Sequence, residues 1–259
     1  MDDPLLLRYS RHILLDELGP DAQARFASAH ALIIGVGGLG APAAQFLAAA
    51  GVGTLSLCDA DSVDLTNLQR QILYATADVG QRKVDAAAAR LSSINPHVTI
   101  VKVARRIGEA DLQPLVAAAD VVIDCCDNFA TRHAVNRACV GARKPLVSGA
   151  ALRFDGQLAV FDTRNPASPC YHCLFGEGDE LEETRCATMG VFAPLVGIVG
   201  STQAAEALKL LAGVGESLAG RLLLLDALTM EWREVRVPRD PDCPVCRMRP
   251  SAAPSEEPK

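Results

Sequence analysis

Positive charge is in short supply in this chain. Its 25 Lys and Arg face 31 Asp and Glu, for a net charge of −6. That leaves no basic footprint for a polyanionic nucleic acid or an anionic membrane surface. Lysine is scarcer still, at 5 against 20 arginines, a skew we attribute to genome composition; it makes each lysine easier to weigh. The N-terminus lacks the basic, then apolar, then small-residue order of a secretory leader. Uninterrupted apolar runs of membrane length are missing too. The longest candidate, VFAPLVGIVGSTQAAEALKLLAG from Val191, is broken by Ser201, Thr202, Gln203, Glu206 and Lys209. Its apolar part is too short for a bilayer core, so a buried helix is expected. No internal repeat is visible.

What is present is a chain of 259 residues, 49% hydrophobic and 22% charged. A chain of that size buries roughly three quarters of its unfolded surface, enough for one large domain or two small ones. Nine cysteines without a leader predict a reducing, cytoplasmic setting in which thiols serve metal binding or catalysis rather than disulfides.

The pattern of elements is α/β. LLLRYSRHILLDELG (5–19) reads as an amphipathic helix ahead of the first strand, ALIIG (31–35). APAAQFLAAAG follows as a helix closed by Gly51, then TLSLCD as a strand and QRKVDAAAARLSSINP (81–96) as a helix stopped by Asn-Pro. VTIVKVA, EADLQPLVAAA, ADVVIDCCDN and ATRHAVNRACVGAR continue the alternation. It predicts a doubly wound, Rossmann-like parallel sheet with right-handed crossovers. After Pro145 the pattern changes. PLVSGAALRFDGQLAVFD reads as strand, Asp-Gly turn, strand, and RLLLLDALTMEWREVRVP as a second strand pair. Hairpin connections imply an antiparallel extension of the same sheet. The expected organisation is one domain over 1–250, with a nucleotide-binding half (1–145), a second half (146–250) and a disordered tail (251–259).

Gly35, Gly37 and Gly40 fit G-x-G-x-x-G between a strand and a helix, where backbone N–H groups meet an anion at a helix N-terminus. Asp59 ends the next strand, a place where a carboxylate accepts hydrogen bonds from a ribose. A nicotinamide cofactor would satisfy these features, but the residues that follow argue otherwise. Asn67, Arg70 and Lys83 come within one loop and the start of a helix, a clamp suited to a triphosphate, with Arg70 bidentate and Lys83 a mobile point charge. Asp127, at the carboxyl end of the fourth strand, is placed to hold a magnesium ion on the phosphates. Asn128 either caps the next helix or touches the nucleotide, and Asp124 is either structural or a second ligand.

Cys170-x-x-Cys173 and Cys243-x-x-Cys246 are two metal-type pairs, expected to form a four-thiolate structural zinc that staples the C-terminal part to the middle of the chain, with a redox pair as the other reading. His172 is then surplus to the tetrahedron and points outward. Cys186, in the polar stretch GEGDELEETRCATMG with Arg185 beside it, is a candidate reactive thiol. Cys58, Cys125, Cys126 and Cys139 read as buried apolar residues.

The segments RYSRHILL, GVGGLGAPAAQFLAAAGVGTLSLCDADSVDLTNLQRQIL, DNFATRHAVNRACV, PLVSGA, PCYHC and CPVC together resemble the MoeB/ThiF/HesA family, bacterial relatives of ubiquitin-activating enzymes. The resemblance runs from about Leu6 to Cys246 and is nearest the molybdopterin branch. It implies a homodimer that uses MgATP to adenylate the C-terminal glycine of a ubiquitin-like sulfur carrier ending in Gly-Gly, releasing pyrophosphate. It implies ATP contacts at Gly38, Asp59, Thr66, Asn67, Leu68, Gln69, Arg70, Lys83, Asp127 and Asn128. Arg11 matches an arginine that reaches the ATP of the neighbouring subunit, and Cys186 a cysteine that in some members takes part in sulfur transfer. A sulfurtransferase or cysteine desulfurase is implied as a further partner. A MoaD-like molybdopterin carrier is the first expectation and the thiamine carrier ThiS the second. From other classes, an NAD-dependent oxidoreductase and a non-catalytic carrier-binding module stand as alternatives.

Overall fold

The structure, a computed structural model, describes residues 3–177 and 189–248. Eight strands form one mixed sheet in the order β3-β2-β1-β4-β5-β6-β7-β8. The parallel part comprises β1 (His30–Ile34), β2 (Thr54–Cys58), β3 (Thr99–Val103), β4 (Val121–Asp124) and β5 (Leu146–Leu152). Its crossovers are α4 (Gly40–Ala50), α5 (Lys83–Ile94), α6 (Glu109–Ala118) and α7 (Phe129–Ala142). Chain order reverses between β1 and β4, which opens a crevice beyond their carboxyl ends. The expected antiparallel extension is present as β6 (Asp155–Phe161), β7 (Arg221–Asp226) and β8 (Glu231–Arg236). The central strands β1 and β4 are buried almost throughout, as a sheet covered on both faces requires.

The N-terminal segment departs from the single helix expected over 5–19. It is broken into α1 (Asp3–Arg8), α2 (Ser10–Ile13) and α3 (Gly19–Ser28). Tyr9, between the first two, is buried, and its ring fills the space over Gly51, where a Cβ would lie 2.6 Å from the phenol. Its hydroxyl accepts a hydrogen bond from Asn95 Nδ2 at 2.8 Å. Gly19, at φ +60, ends the irregular stretch, and Pro20 then starts α3 in the first turn, where a missing N–H costs nothing.

The first hairpin turn also sits elsewhere. Leu152 pairs with Asp155, so the connection is Arg153-Phe154, with Arg153 at φ 53. Asp155 and Gly156 open β6 instead. Gly156 serves packing: a Cβ there would lie 2.8 Å from Leu195 Cδ1.

Leu195 belongs to α9 (Ala193–Ala212), the apolar run discussed above. By length and composition alone this helix passes for a membrane span. It packs instead on α4, α3 and strands β4, β5 and β6. Two of its polar residues, Gln203 and Glu206, are buried. Gln203 Nε2 donates to the carbonyls of Asp124 at 2.8 Å and Val147 at 3.3 Å. Glu206 pairs with Lys209 and accepts the Leu218 N–H at 2.9 Å. After the 163–170 loop, α8 (Tyr171–Leu174) is a single turn. The segment 178–188, with Arg185 and Cys186, and the tail 251–259 lie outside the described residues.

Two glycines of α9 separate tight packing from helix propensity. A Cβ on Gly200 would lie 2.3 Å from the Leu39 carbonyl oxygen, while one on Gly197 meets nothing within 4 Å. Gly200→Ala should cost about 1–3 kcal/mol, and Gly197→Ala should gain about 0.5–1 kcal/mol. Urea midpoints measure both, and an unshifted midpoint for Gly200→Ala would contradict the packing.

Candidate functional site

The loop from Gly35 to Gly40 joins β1 to α4 at the mouth of the crevice. Gly35 has φ +87, and a Cβ there would press on the Cys125 carbonyl at 2.8 Å. Gly40 is more constrained: its Cβ would fall 1.9 Å from the Gly35 carbonyl oxygen, so only glycine lets the first turn of α4 fold back on the loop. Gly38 lies against Val196 of α9, whose Cβ would be 3.2 Å away. Two polar side chains hold the loop. The Tyr74 hydroxyl donates to the Val36 carbonyl at 2.7 Å, and Val36 N–H donates to Asp59 Oδ2 at 2.8 Å. Gln71 is buried against Gly37, and its Oε1 has no hydrogen-bond partner.

The three aspartates after β2 divide the work. Asp59 binds the glycine loop and also accepts the Asp61 N–H at 2.9 Å. Asp61 holds Lys83, with Nζ 2.9 Å from its Oδ2 and 4.0 Å from Asp59 Oδ2. Asp64 caps a single 3-10 turn at Leu65–Asn67, accepting Thr66 N–H at 2.8 Å and its hydroxyl at 2.6 Å, which holds the exposed Asp64 carboxyl below its usual range. This turn positions Thr66, Asn67, Leu68 and Gln69 ahead of Arg70, whose guanidinium donates to the Thr66 carbonyl at 3.2 Å. Lys83 is the first residue of α5 and is 6% exposed.

Across the crevice, Asp127 is exposed at the end of β4. Asn128 Oδ1 accepts the Thr131 N–H at 2.9 Å, so Asn128 is the N-cap of α7, and its Nδ2 lies 3.4 Å from Asp127 Oδ1. Asp124 is structural. It is fully buried and bound by Arg132 Nη1 at 2.9 Å, the Ser148 hydroxyl at 2.8 Å and Cys126 N–H at 3.0 Å. Arg132 also donates to the Gly149 carbonyl at 2.9 Å and to that of Cys126. Burial works against the guanidinium's charge, yet the facing Asp124 carboxylate holds its pKa above the ordinary arginine value.

Arg11 does not join this group within the chain. It is exposed on α2, next to Tyr9, which packs at the C-terminal end of α4. The glycine loop lies at the other end of that 11-residue helix, roughly 16 Å away at 1.5 Å per residue.

The four paired cysteines converge as expected. Cys170 Sγ lies 3.9 Å from Cys173 and 3.7 Å from Cys243, and Cys173 lies 3.5 Å from Cys246. Thiolates about 2.3 Å from a tetrahedral ion stand roughly 3.8 Å apart, so the set can hold one. Hydrogen bonding from Cys170 holds the Cys173 thiol below its ordinary range. Burial pushes the Cys58 thiol up to about 12 and raises Cys125, Cys126 and Cys139 too. These four are protonated packing residues, as their sequence positions suggested.

A model of the ThiF family matches residues 9–245. This chain belongs to the ThiF family. The molybdopterin-synthase adenylyltransferase of Escherichia coli (strain K12) is 46% identical over 249 residues, covering 95% of this chain and 98% of that protein. The sulfur carrier protein ThiS adenylyltransferase of the same strain is 46% identical over 246 residues, covering 95% and 97%. A crystal structure of E. coli MccB with ATP superposes with a TM-score of 0.81 at 25% identity, over 92% of this chain and 74% of that one.

In this ThiF-family chain, several residues around the crevice escaped the sequence reading. Gln71, Tyr74, Arg132, Ser148 and Gln203 carry no motif spacing. Their one sequence signal is a polar group close to residues that bury, as Gln71 is to Leu73 and Tyr74. Arg132→Ala leaves the Asp124 carboxylate buried and unpaired, and should cost about 3–5 kcal/mol. Denaturant unfolding checks this, and a loss below about 1 kcal/mol would place the pair in a solvent-like setting.

Proposed function

We propose that this chain adenylates the C-terminal glycine carboxylate of a ubiquitin-like sulfur carrier ending in Gly-Gly, using ATP and releasing pyrophosphate. One arrangement supports the reading: the glycine loop, the Asp59 that binds it and lies 4.0 Å from Lys83, the loop carrying Arg70, and the exposed Asp127 all follow the carboxyl ends of β1, β2 and β4. An NAD-dependent hydride transfer has no use for Arg70 and Lys83 there, and a module that only binds a carrier has no use for the loop. The names of two 46%-identical relatives support the reaction, and the ATP named for the MccB structure supports the nucleotide.

The chemistry is positioning and charge neutralisation. The carrier carboxylate attacks the α-phosphorus of ATP, an acyl–phosphate bond forms, and the bond from the α-phosphorus to the bridging oxygen breaks as pyrophosphate leaves. A carboxylate needs no general base. It does need its repulsion by the phosphates removed. Arg70 and Lys83 supply fixed positive charge, the backbone N–H groups of residues 37–40 are left for the phosphates because those of Gly35 and Val36 bind Cys58 and Asp59, and Asp59 is at hand for a ribose hydroxyl. Asp127 is the residue to hold magnesium, an ion that spreads phosphate charge when bound. Arg11, remote from its own crevice, acts in a homodimer on the crevice of the second copy. Sulfur transfer, with Cys186 as its candidate thiol and a sulfurtransferase or cysteine desulfurase as partner, belongs to the step after adenylation, in the cytoplasm.

The carrier of molybdopterin synthesis is the first assignment. ThiS is the second, because the relatives named for the two carriers are equally similar, at 46% each. ATP–pyrophosphate exchange with both purified carriers tests the reading: exchange should require a carrier, and exchange with neither overturns it. Arg70→Ala and Asp127→Ala should each lower exchange by roughly 10²-fold or more; near-normal exchange in both would remove the clamp from the mechanism.

The four cysteines hold a structural zinc in this reading, joining Cys243 and Cys246 to α8. The purified chain should carry about one tightly held zinc, as a four-thiolate site binds. Cys243→Ser should release it and lower the melting temperature. A metal-free chain with an unchanged melt would contradict the assignment.

A further inference from the structure

We infer that His133, His172 and Glu177 form a second metal site, separate from the four cysteines and suited to a divalent transition-metal ion such as zinc. One ligand atom from each of the three lies within 4.8 Å of the others. His133 is a buried residue of α7, 6% exposed. His172 belongs to α8, and Glu177 follows that turn. His172 was expected to point outward, being surplus to the thiolate tetrahedron. Its ring instead meets that of His133, with centroids 5.6 Å apart.

Three physical points favour an ion. The Nδ1 atom of His172 is buried and has no hydrogen-bond partner, a situation that costs about 1–3 kcal/mol unless something binds it. Two imidazoles and a carboxylate are a donor set for zinc and its neighbours, with a fourth position left for water. The local charge also suits a dication. Arg137 is shared between Glu177 at 2.6 Å and Glu109 at 2.8 Å, so two carboxylates face one guanidinium. Glu177 can keep one oxygen on Arg137 and turn the other to the metal. Ligands about 2.0–2.1 Å from a tetrahedral ion stand roughly 3.4 Å apart. The remaining closure falls to Glu177, an exposed side chain that turns its second oxygen inward while the first stays on Arg137.

The site differs in kind from the thiolate cluster. It has no sulfur, one ligand reaches solvent, and its ion would exchange. Bound there, a metal ties Glu177 to α7 and α8. The competing account is an edge-to-face cluster of His133, Tyr171 and His172 with no ion at all.

Titration of the full-length chain with cobalt(II), after dialysis against a chelator mild enough to spare thiolate-bound metal, separates the two. A second ion per chain should bind, with ligand-field bands but no thiolate charge-transfer band, and zinc should displace it. Glu177→Gln, at the exposed position, should weaken this second binding by roughly tenfold or more while leaving the melting temperature of the metal-depleted chain unchanged. His172→Gln should do the same to binding. Equal second-ion binding by wild type and Glu177→Gln overturns the site, as does the lack of any sulfur-free cobalt signal. If the four cysteines are empty, cobalt fills them too and a thiolate charge-transfer band appears, which Glu177→Gln leaves unchanged while still weakening the sulfur-free bands, so failure of one site is not mistaken for failure of the other.

Discussion

Close approach of α9 to the sheet is the constraint on which the rest of this structure depends. Four glycines make it possible. Gly200 lets the helix touch the Leu39 carbonyl, Gly38 yields to Val196, Gly156 to Leu195, and Gly149 to the Gln203 amide, where a Cβ would lie 2.6 Å away. A helix held a side chain's width further off could not reach the back of the nucleotide-type loop. Nor could Gln203 donate to carbonyls of both β4 and β5. The apolar composition that mimics a membrane span is what burial between a sheet and two helices demands.

Beneath the crevice the fold places charge in two ways. Asp124 and Arg132 are both buried and hydrogen-bond to each other, to Ser148, to the Cys126 N–H and to nearby carbonyls. Such a pair contributes little net stability, since desolvation offsets its Coulomb attraction, but neither partner tolerates loss of the other. It ties the end of β4 to the middle of β5 and therefore fixes the point from which Asp127 projects. Lys83 is as buried as Arg132, but its partner Asp61 is exposed, and there the charges are shared less completely. Lys83 is 4.0 Å from Asp59 but 2.9 Å from the exposed Asp61, so its main partner is one that solvent already screens. A lysine held that way can change partners at small cost; Arg132 cannot.

The parts of the fold that were legible in the sequence are those written in period and punctuation. Gly51 closes α4 in the left-handed region at φ 83, and Asn95-Pro96 ends α5, both of which a single chain displays openly. The glycine loop, the cations after it and the paired cysteines were legible because their chemistry fixes residue type and spacing together. Other features depended on tertiary contacts that no local pattern records. The N-terminal helix is broken because Tyr9 is drawn onto Gly51, 42 positions away in the chain. Asp155-Gly156 looked like a turn because that dipeptide usually makes one, yet α9 claims Gly156 for packing and moves the turn to Arg153-Phe154. Arg132 lies in a helix with no motif around it, and only the sheet register that brings Ser148 beside Asp124 explains its burial.

The same distinction explains why reaction type and carrier identity are unequally readable. Neutralising a triphosphate needs a few charges at fixed positions, and those positions are set by the ends of β1, β2 and β4, so the requirement reaches down to single residues. Choosing between two carriers needs a surface that fits one protein better than another, and a difference of about 1.4 kcal/mol already means tenfold preference. Such a difference can be spread over many contacts without a motif. Relatives named for different carriers match this chain at the same 46% identity. That equality follows if the shared residues serve the fold and the nucleotide crevice, while the choice of carrier is made by the side chains that vary around them.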